Sequence, residues 1–130
     1  MILLDTDICI EILRKNKKVI ENRINTDDDV SISFMTVAEL FYGAENSNYR
    51  DENFSLVEEF ILTVPVIETD IDIMKRFAII KSDLKRRNEI IADADILIAA
   101  TTLEKCSKLV TGNTGHFERI NGLVLENWIR

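Results

Sequence analysis

The sequence predicts an α/β domain with a mostly parallel sheet of about four to five strands flanked by helices. Two observations carry this. Short apolar runs bounded by polar turns recur along the chain, and between them lie stretches in which apolar residues return at helical spacing. Strand and helix therefore alternate from end to end, with no internal repeat and no low-complexity tract. At 130 residues, 46% of them hydrophobic and 30% charged, the chain suits one domain spanning residues 1–130.

Ile2-Leu3-Leu4, stopping at Asp5, reads as a short buried strand, and Ile8, Cys9, Ile12 and Leu13 then mark a helix that ends in the basic break Arg14–Lys18. A further helical stretch from Val19 to Asn25 runs into the acidic turn Asp27–Asp29, after which Val30–Phe34 alternates as a second strand. Thr36 to Tyr42 reads as a helix ended by Gly43, and Thr36 with Glu39 has the form of a capping box. A polar linker, Glu45–Asn53, leads to a helix over Ser55–Leu62, where Ser55 and Glu58 repeat the same template, and Val64–Ile67 supplies a third strand. The helix Ile71–Arg87 gathers Ile73, Phe77, Ile80 and Leu84 on one face. Next, Asp93 and Asp95 precede a helix carrying Ile96, Ala99, Ala100 and Leu103; Lys108–Thr111 is a fourth strand, a Gly/Asn turn follows, and Leu123–Glu126 is a fifth.

No apolar run approaches the roughly 20 residues that span a bilayer, and the segment Met1–Asp7 has no basic region and no cleavage pattern, so the expectation is a soluble, cytoplasmic protein with no membrane role. Cys9 and Cys106 lack the spacing of a zinc or redox site and are read as reduced core residues. A net charge of −7 argues against a general nucleic-acid-coating protein. Charge is uneven, however. Lys75, Arg76, Lys81, Lys85, Arg86 and Arg87 sit on one predicted helix with only Asp83 against them, which makes either a cationic surface or an ordinary solvated face.

The predicted topology gives the acids a common place. Ligands of open α/β sheets collect outside the carboxyl ends of the strands, and there the sequence puts Asp5, Glu39, Asp93, Asp95 and Asn113. Carboxylates drawn together repel one another, and burial raises the cost unless a cation sits among them. Hard oxygen donors suit Mg²⁺ or Mn²⁺, not zinc.

The blocks LLDTDICI, MTVAELFYGAE, IADADILIAA and LVTGNTGHFERINGLVLENW resemble, in order and spacing, the PIN-domain ribonucleases of the VapC toxin type. The likeness runs nearly end to end and is weakest over residues 46–87. It implies a PIN-like fold, a Mg²⁺- or Mn²⁺-dependent endoribonuclease acting on RNA as a toxin, a homodimer, and a cognate VapB-type antitoxin as partner. Carried over by position, Asp5, Glu39 and Asp95 match the acidic metal-site residues, and Asn113 stands where the wider PIN pattern has a fourth acid. Asn supplies one neutral carbonyl oxygen and no charge, which weakens the case for a second ion more than for activity.

Each position also has a bland explanation. Asp5, Thr6 or Asp7 could simply cap a helix, Glu39 could close the capping box, and one acid of the Asp93/Asp95 pair would suffice as a cap. The pair is therefore divided, Asp95 as ligand and Asp93 as cap or hydrogen-bonding support. Thr6, Ser33, Thr36 and Thr111 are read as orienting ligands or water by hydrogen bonds. Arg14, Lys81, Lys85 and Arg86 are the candidates for phosphate contacts, His116 is read as a packed or surface residue, and Trp128 as a packing anchor. Two other classes compete. A phosphoacceptor domain would need a central-strand Asp and a Lys after a late strand, which Val64–Glu68 and Leu109–Asn113 do not supply; a degenerate, non-catalytic PIN-like module is the stronger rival.

Overall fold

The computed structural model describes all 130 residues. In chain order the elements are β1 (Ile2–Leu4), α1 (Thr6–Leu13), α2 (Lys17–Asn25), β2 (Val30–Ser33), α3 (Phe34–Glu45), α4 (Arg50–Ile61), β3 (Val66–Ile67), α5 (Ile71–Arg86), α6 (Asp93–Lys105), β4 (Lys108–Val110), α7 (Thr114–Phe117) and β5 (Leu125–Glu126). The five strands form one sheet in the order β3-β2-β1-β4-β5, and every pairing is parallel. Leu3 aligns with Ser31 on one side and Leu109 on the other, so β1 is the central strand.

A central strand covered on both faces should be apolar throughout, and Ile2, Leu3 and Leu4 are all fully buried. Their alternation divides the interior. Ile2 and Leu4 join Ile8, Val19, Leu40, Val57, Phe60 and Trp128 on one face of the sheet, while Leu3 joins Ile73, Leu84, Ile96, Leu109 and Phe117 on the other. Helices α1 to α4 thus cover one side, α5 and α6 the other.

Among the expected boundaries that move, three do so for a plain physical reason, while the second helix starts earlier, at Lys17, and the fifth strand shortens to Leu125–Glu126. Ser33, read as strand, is both the last residue of β2 and the cap of α3: its hydroxyl accepts the Thr36 amide, so α3 starts at Phe34 and continues past Gly43 to Glu45. The capping box expected at Thr36 and Glu39 is not formed. Helix α4 starts at Arg50, not Ser55, with Asp51 and Glu52 in its first turn where the helix dipole favours acids, and Phe54 packs on Phe41 with ring centroids 4.7 Å apart. The third strand shrinks to Val66–Ile67 because Pro65 has no N–H to offer; only its carbonyl pairs, accepting the Ile32 amide. After Asn113 a single helical turn, α7, replaces the expected open turn and seats Phe117 in the core. Cys9 is buried, whereas Cys106 ends α6 and is only half-buried, its thiol beside the Ser31 hydroxyl; both are free.

Candidate active site

Chain order along the sheet reverses between β1 and β4, and the crevice beyond their carboxyl ends is where the loops diverge. Asp5 lies at its floor. The residue is 5% exposed; its amide donates to the Val110 carbonyl, its Oδ1 accepts the Thr6 amide at 2.8 Å and its Oδ2 accepts the Thr111 hydroxyl at 2.8 Å. No Lys, Arg or His pairs with it, and burial, with Asp7 and Asp95 adding their repulsion, pushes its carboxyl up to about 7 against the hydrogen bonds from Thr111 and Thr6.

Asp7, read from the sequence only as a possible cap, belongs to the same group. Its Oδ2 accepts the Gly112 amide at 2.8 Å, its Oδ1 is buried without a partner, and its carboxyl reaches that of Asp5. Burial, above all, raises it, with Asp95 adding to the rise. A signal was available. Asp5 and Asp7 repeat the one-residue interval of Asp93 and Asp95.

Glu39 points at α1 instead of closing its own helix. Its Oε1 accepts the Thr6 hydroxyl at 2.7 Å, and that hydroxyl lies 3.0 Å from the Thr36 hydroxyl, so Thr6 and Thr36 link the starts of α1 and α3. Asp95 sits in the first turn of α6, with Oδ2 3.5 Å from His116 Nδ1. His116 Nδ1 in turn lies 2.8 Å from Asn113 Nδ2, whose N–H donates to it, so the histidine read as a packed or surface residue stands between Asn113 and Asp95. The reading of Asp93 as a cap is corrected. Ala92 occupies the cap position and no side chain caps α6; Asp93, already inside the helix and exposed, turns outward to Lys81 Nζ at 3.0 Å.

The acids and Asn113 share one rim, yet no three of the Asp, Glu, His or Cys side chains converge closely enough to enclose an ion as they stand. Glu39 is held at the rim by Thr6, and Asp95 lies 3.5 Å from His116. Two features still fit a divalent cation: an orphaned carboxylate oxygen on Asp7, and a set of hard oxygen donors whose charge no basic residue cancels around Asp5.

The cationic face is partly spent within the protein. Lys81 pairs with Asp93, Arg76 with Glu104, Arg86 with Asp83, and Arg87 with Asp83 and Glu89, which leaves Lys75 and Lys85 without an acidic partner. Arg14 ends α1, is 73% exposed along its side chain, and stays 3.7 Å from Glu11. With Glu39 it lines a cleft of about 320 Å³ between α1, α3 and α4, whose other walls include Ile10, Leu13, Leu40 and Leu56.

The PIN domain model matches residues 2–123, which hold Asp5, Asp7, Glu39, Asp93, Asp95 and Asn113. The chain belongs to the PIN domain family. Among relatives, Ribonuclease VapC2 of Haemophilus influenzae is 34% identical over 98% of this chain and 97% of its own. The tRNA(fMet)-specific endonuclease VapC of Shigella flexneri is 32% identical over 97% and 96%. A DNA-bound VapBC from Salmonella typhimurium contains a chain that superposes with a TM-score of 0.90 at 32% identity, covering 98% of this PIN domain and 97% of that chain. This PIN domain is therefore of the VapC kind, and no helix in it is long and apolar enough to cross a membrane.

Proposed function

We propose that the chain is a toxin endoribonuclease that hydrolyses RNA phosphodiester bonds with Mg²⁺ or Mn²⁺ and is restrained by a VapB-type antitoxin. The observation that carries the reading is Asp5, buried, bonded only to neutral donors, crowded by two further acids and given no basic partner. Such a charge is tolerated when a cation from outside completes the site. The ribonuclease names of relatives at 34% and 32% identity support the hydrolase class.

In this reading Asp5 and Asp95 would hold the ion with help from Glu39, and Asn113 would offer its carbonyl oxygen, its amide nitrogen being held by His116. A divalent ion at this site would supply Lewis acidity and a water of lowered pKa for phosphodiester hydrolysis. Thr111 and the Thr6 amide fix both oxygens of Asp5, and the Thr6 hydroxyl keeps Glu39 at the rim. Carboxylates here place charge and need not accept the proton. Lys85, without an acidic partner, and Arg14 and Arg86, whose exposed pairs with Glu11 and Asp83 are long at 3.7 Å, are the side chains able to meet flanking phosphates, with Lys81 available once it leaves Asp93. A homodimer belongs to the proposal, and light scattering tests it.

The antitoxin reading rests on the cleft. Glu39 lines both the cleft and the acid group, so a segment that fills the apolar part can set a guanidinium on the carboxylates through two parallel hydrogen bonds. Purified protein should cleave RNA, initiator tRNA among the substrates tried, lose activity in EDTA, and regain it with Mg²⁺ or Mn²⁺. Asp5→Asn and Asp95→Asn should each abolish cleavage, and cleavage that survives EDTA overturns the mechanism. Asn113 in place of an acid and the net charge of −7 favour a non-catalytic binding module as the second reading. That module would give no heat in a manganese titration.

A further inference from the structure

Asp7 is the second residue of α1, where a carboxylate is usually explained by the helix dipole and by solvent. Neither accounts for its surroundings. One oxygen accepts the Gly112 amide across the β1–β4 crevice, and the other is buried with no N–H to accept, in a carboxyl that lies against that of Asp5. Gly112 stands between Thr111, whose hydroxyl donates to Asp5 and accepts the Asn113 amide at 2.9 Å, and Asn113 itself. The turn that carries Asn113 is thus held twice, by Asp5 through the Thr111 side chain and by Asp7 through the backbone.

Gly112 permits the second hold. A Cβ there would lie 2.9 Å from Asp7 Oδ2 and 2.5 Å from Ile129 Cδ1, so a larger residue would push both away and lengthen the bond. The tether alone, however, does not require an acid. An asparagine would accept the same amide through its carbonyl and would spare the fold a crowded charge and an orphaned anionic oxygen beside Asp5. The charge calls for its own reason.

We infer that Asp7 is a positioning residue for the metal site: it fixes the Thr111–Gly112–Asn113 turn above Asp5, and its negative charge strengthens the site's hold on a divalent cation. The inference rests on the proposed metal-dependent reading. No Lys, Arg or His lies against Asp5 or Asp7 to take up this charge, and the residues aligned behind the ligands of metal sites tune affinity through such contacts.

Asp7→Asn and Asp7→Ala separate the two contributions in the full-length protein. Manganese titration by calorimetry reads the charge, and amide hydrogen exchange at Gly112 and Asn113, followed by NMR without metal, reads the tether. Asp7→Asn should keep both amides protected while binding Mn²⁺ about 10-fold more weakly or worse. Asp7→Ala should lose the protection, with exchange about 10-fold faster or more once the hydrogen bond is gone, and bind Mn²⁺ at least as weakly as Asp7→Asn. A purely structural Asp7 predicts that the Asn variant restores everything, and Mn²⁺ affinity equal to wild type in Asp7→Asn overturns the charge role. Unchanged exchange at Gly112 in Asp7→Ala overturns the tether. Wild-type protein that takes up no Mn²⁺ overturns the metal reading and the charge role together, and the exchange measurement then decides the tether alone.

Discussion

Replacing Asp5 by Asn removes the most crowded charge in the molecule while keeping its shape, and without metal it should stabilise the fold. The carboxyl titrates near pH 7 in the folded chain against an ordinary value of 3.8. Below 3.8 it carries its proton in both states and costs nothing. As pH climbs, the unfolded chain ionises freely while the folded one resists, so stability falls from about pH 4 to about pH 7 and then levels. At about 1.4 kcal/mol per decade the full difference is about 4 kcal/mol, undiminished by solvent because the residue is only 5% exposed. Asn has a single acceptor oxygen and forfeits one of the bonds from Thr6 and Thr111, about 1 kcal/mol. The net gain above pH 7 is therefore about 2 to 3 kcal/mol. For 130 residues this is about 10 °C in melting temperature.

Circular-dichroism melts in EDTA at pH 4, 5, 6, 7 and 8 check this. Wild type should melt lower at each step up to pH 7 and then level, while Asp5→Asn, in which burial still raises Asp7, falls less, so that the variant leads by about 10 °C at pH 8 and loses its lead near pH 4. Added Mn²⁺ should raise the wild type alone. A variant that melts at or below wild type at pH 8 in EDTA refutes the argument, because Asp5 would then be stabilised by something other than an external cation.

Asp93→Ala should cost under about 1 kcal/mol in urea melts and leave Mn²⁺ affinity unchanged, since it breaks only an exposed pair with Lys81. Thr6→Val releases Glu39 from its 2.7 Å hydrogen bond, and calorimetry should show Mn²⁺ affinity falling several-fold in a protein that still folds. Asp5→Asn with Glu39→Gln should weaken antitoxin binding as well as cleavage; a co-expressed neighbouring protein that binds the double variant as tightly as wild type places inhibition in the apolar cleft alone. Antitoxin association should also slow with added salt as charges beyond about 8 to 10 Å are screened, which stopped-flow mixing measures.

What the sequence made legible was local. The period-2 and 3.6-residue patterns locate β1, β2, α5 and α6, and Asp5 and Asp95 follow because each sits where such a pattern begins or ends. Thr111 follows from the end of β4 in the same way. The misses depend on contacts that no local pattern encodes. Asp7 meets Gly112 across 105 positions, and Glu39 meets Thr6 across 33. Ser33 could not be recognised as a cap because it also completes the alternation of β2, and its capture of the Thr36 amide dissolves the capping box that Thr36 and Glu39 seemed to spell. The sequence placed the cations together on α5 but could not show that Asp93 and Glu104 from α6 reach across to them.

These misses bear on how an acidic chain can act on an anionic substrate. With its basic helix partly neutralised by α6, the protein does not draw RNA by surface charge alone, and the negative field at the crevice opposes a phosphate. Asp5, Asp7, Glu39 and Asp95 supply that field, and on the proposed reading their charge selects between two opposite occupants. Metal-free, the rim repels RNA and attracts the guanidinium of an antitoxin; with a divalent ion held by Asp5 and Asp95, two of the negative charges are offset and a phosphate becomes acceptable. RNA and antitoxin then compete through the ion, not only through the surface they share. Raising Mn²⁺ should weaken antitoxin binding and strengthen RNA binding in the same titration, and an antitoxin affinity indifferent to Mn²⁺ would separate the inhibitor from the acids altogether.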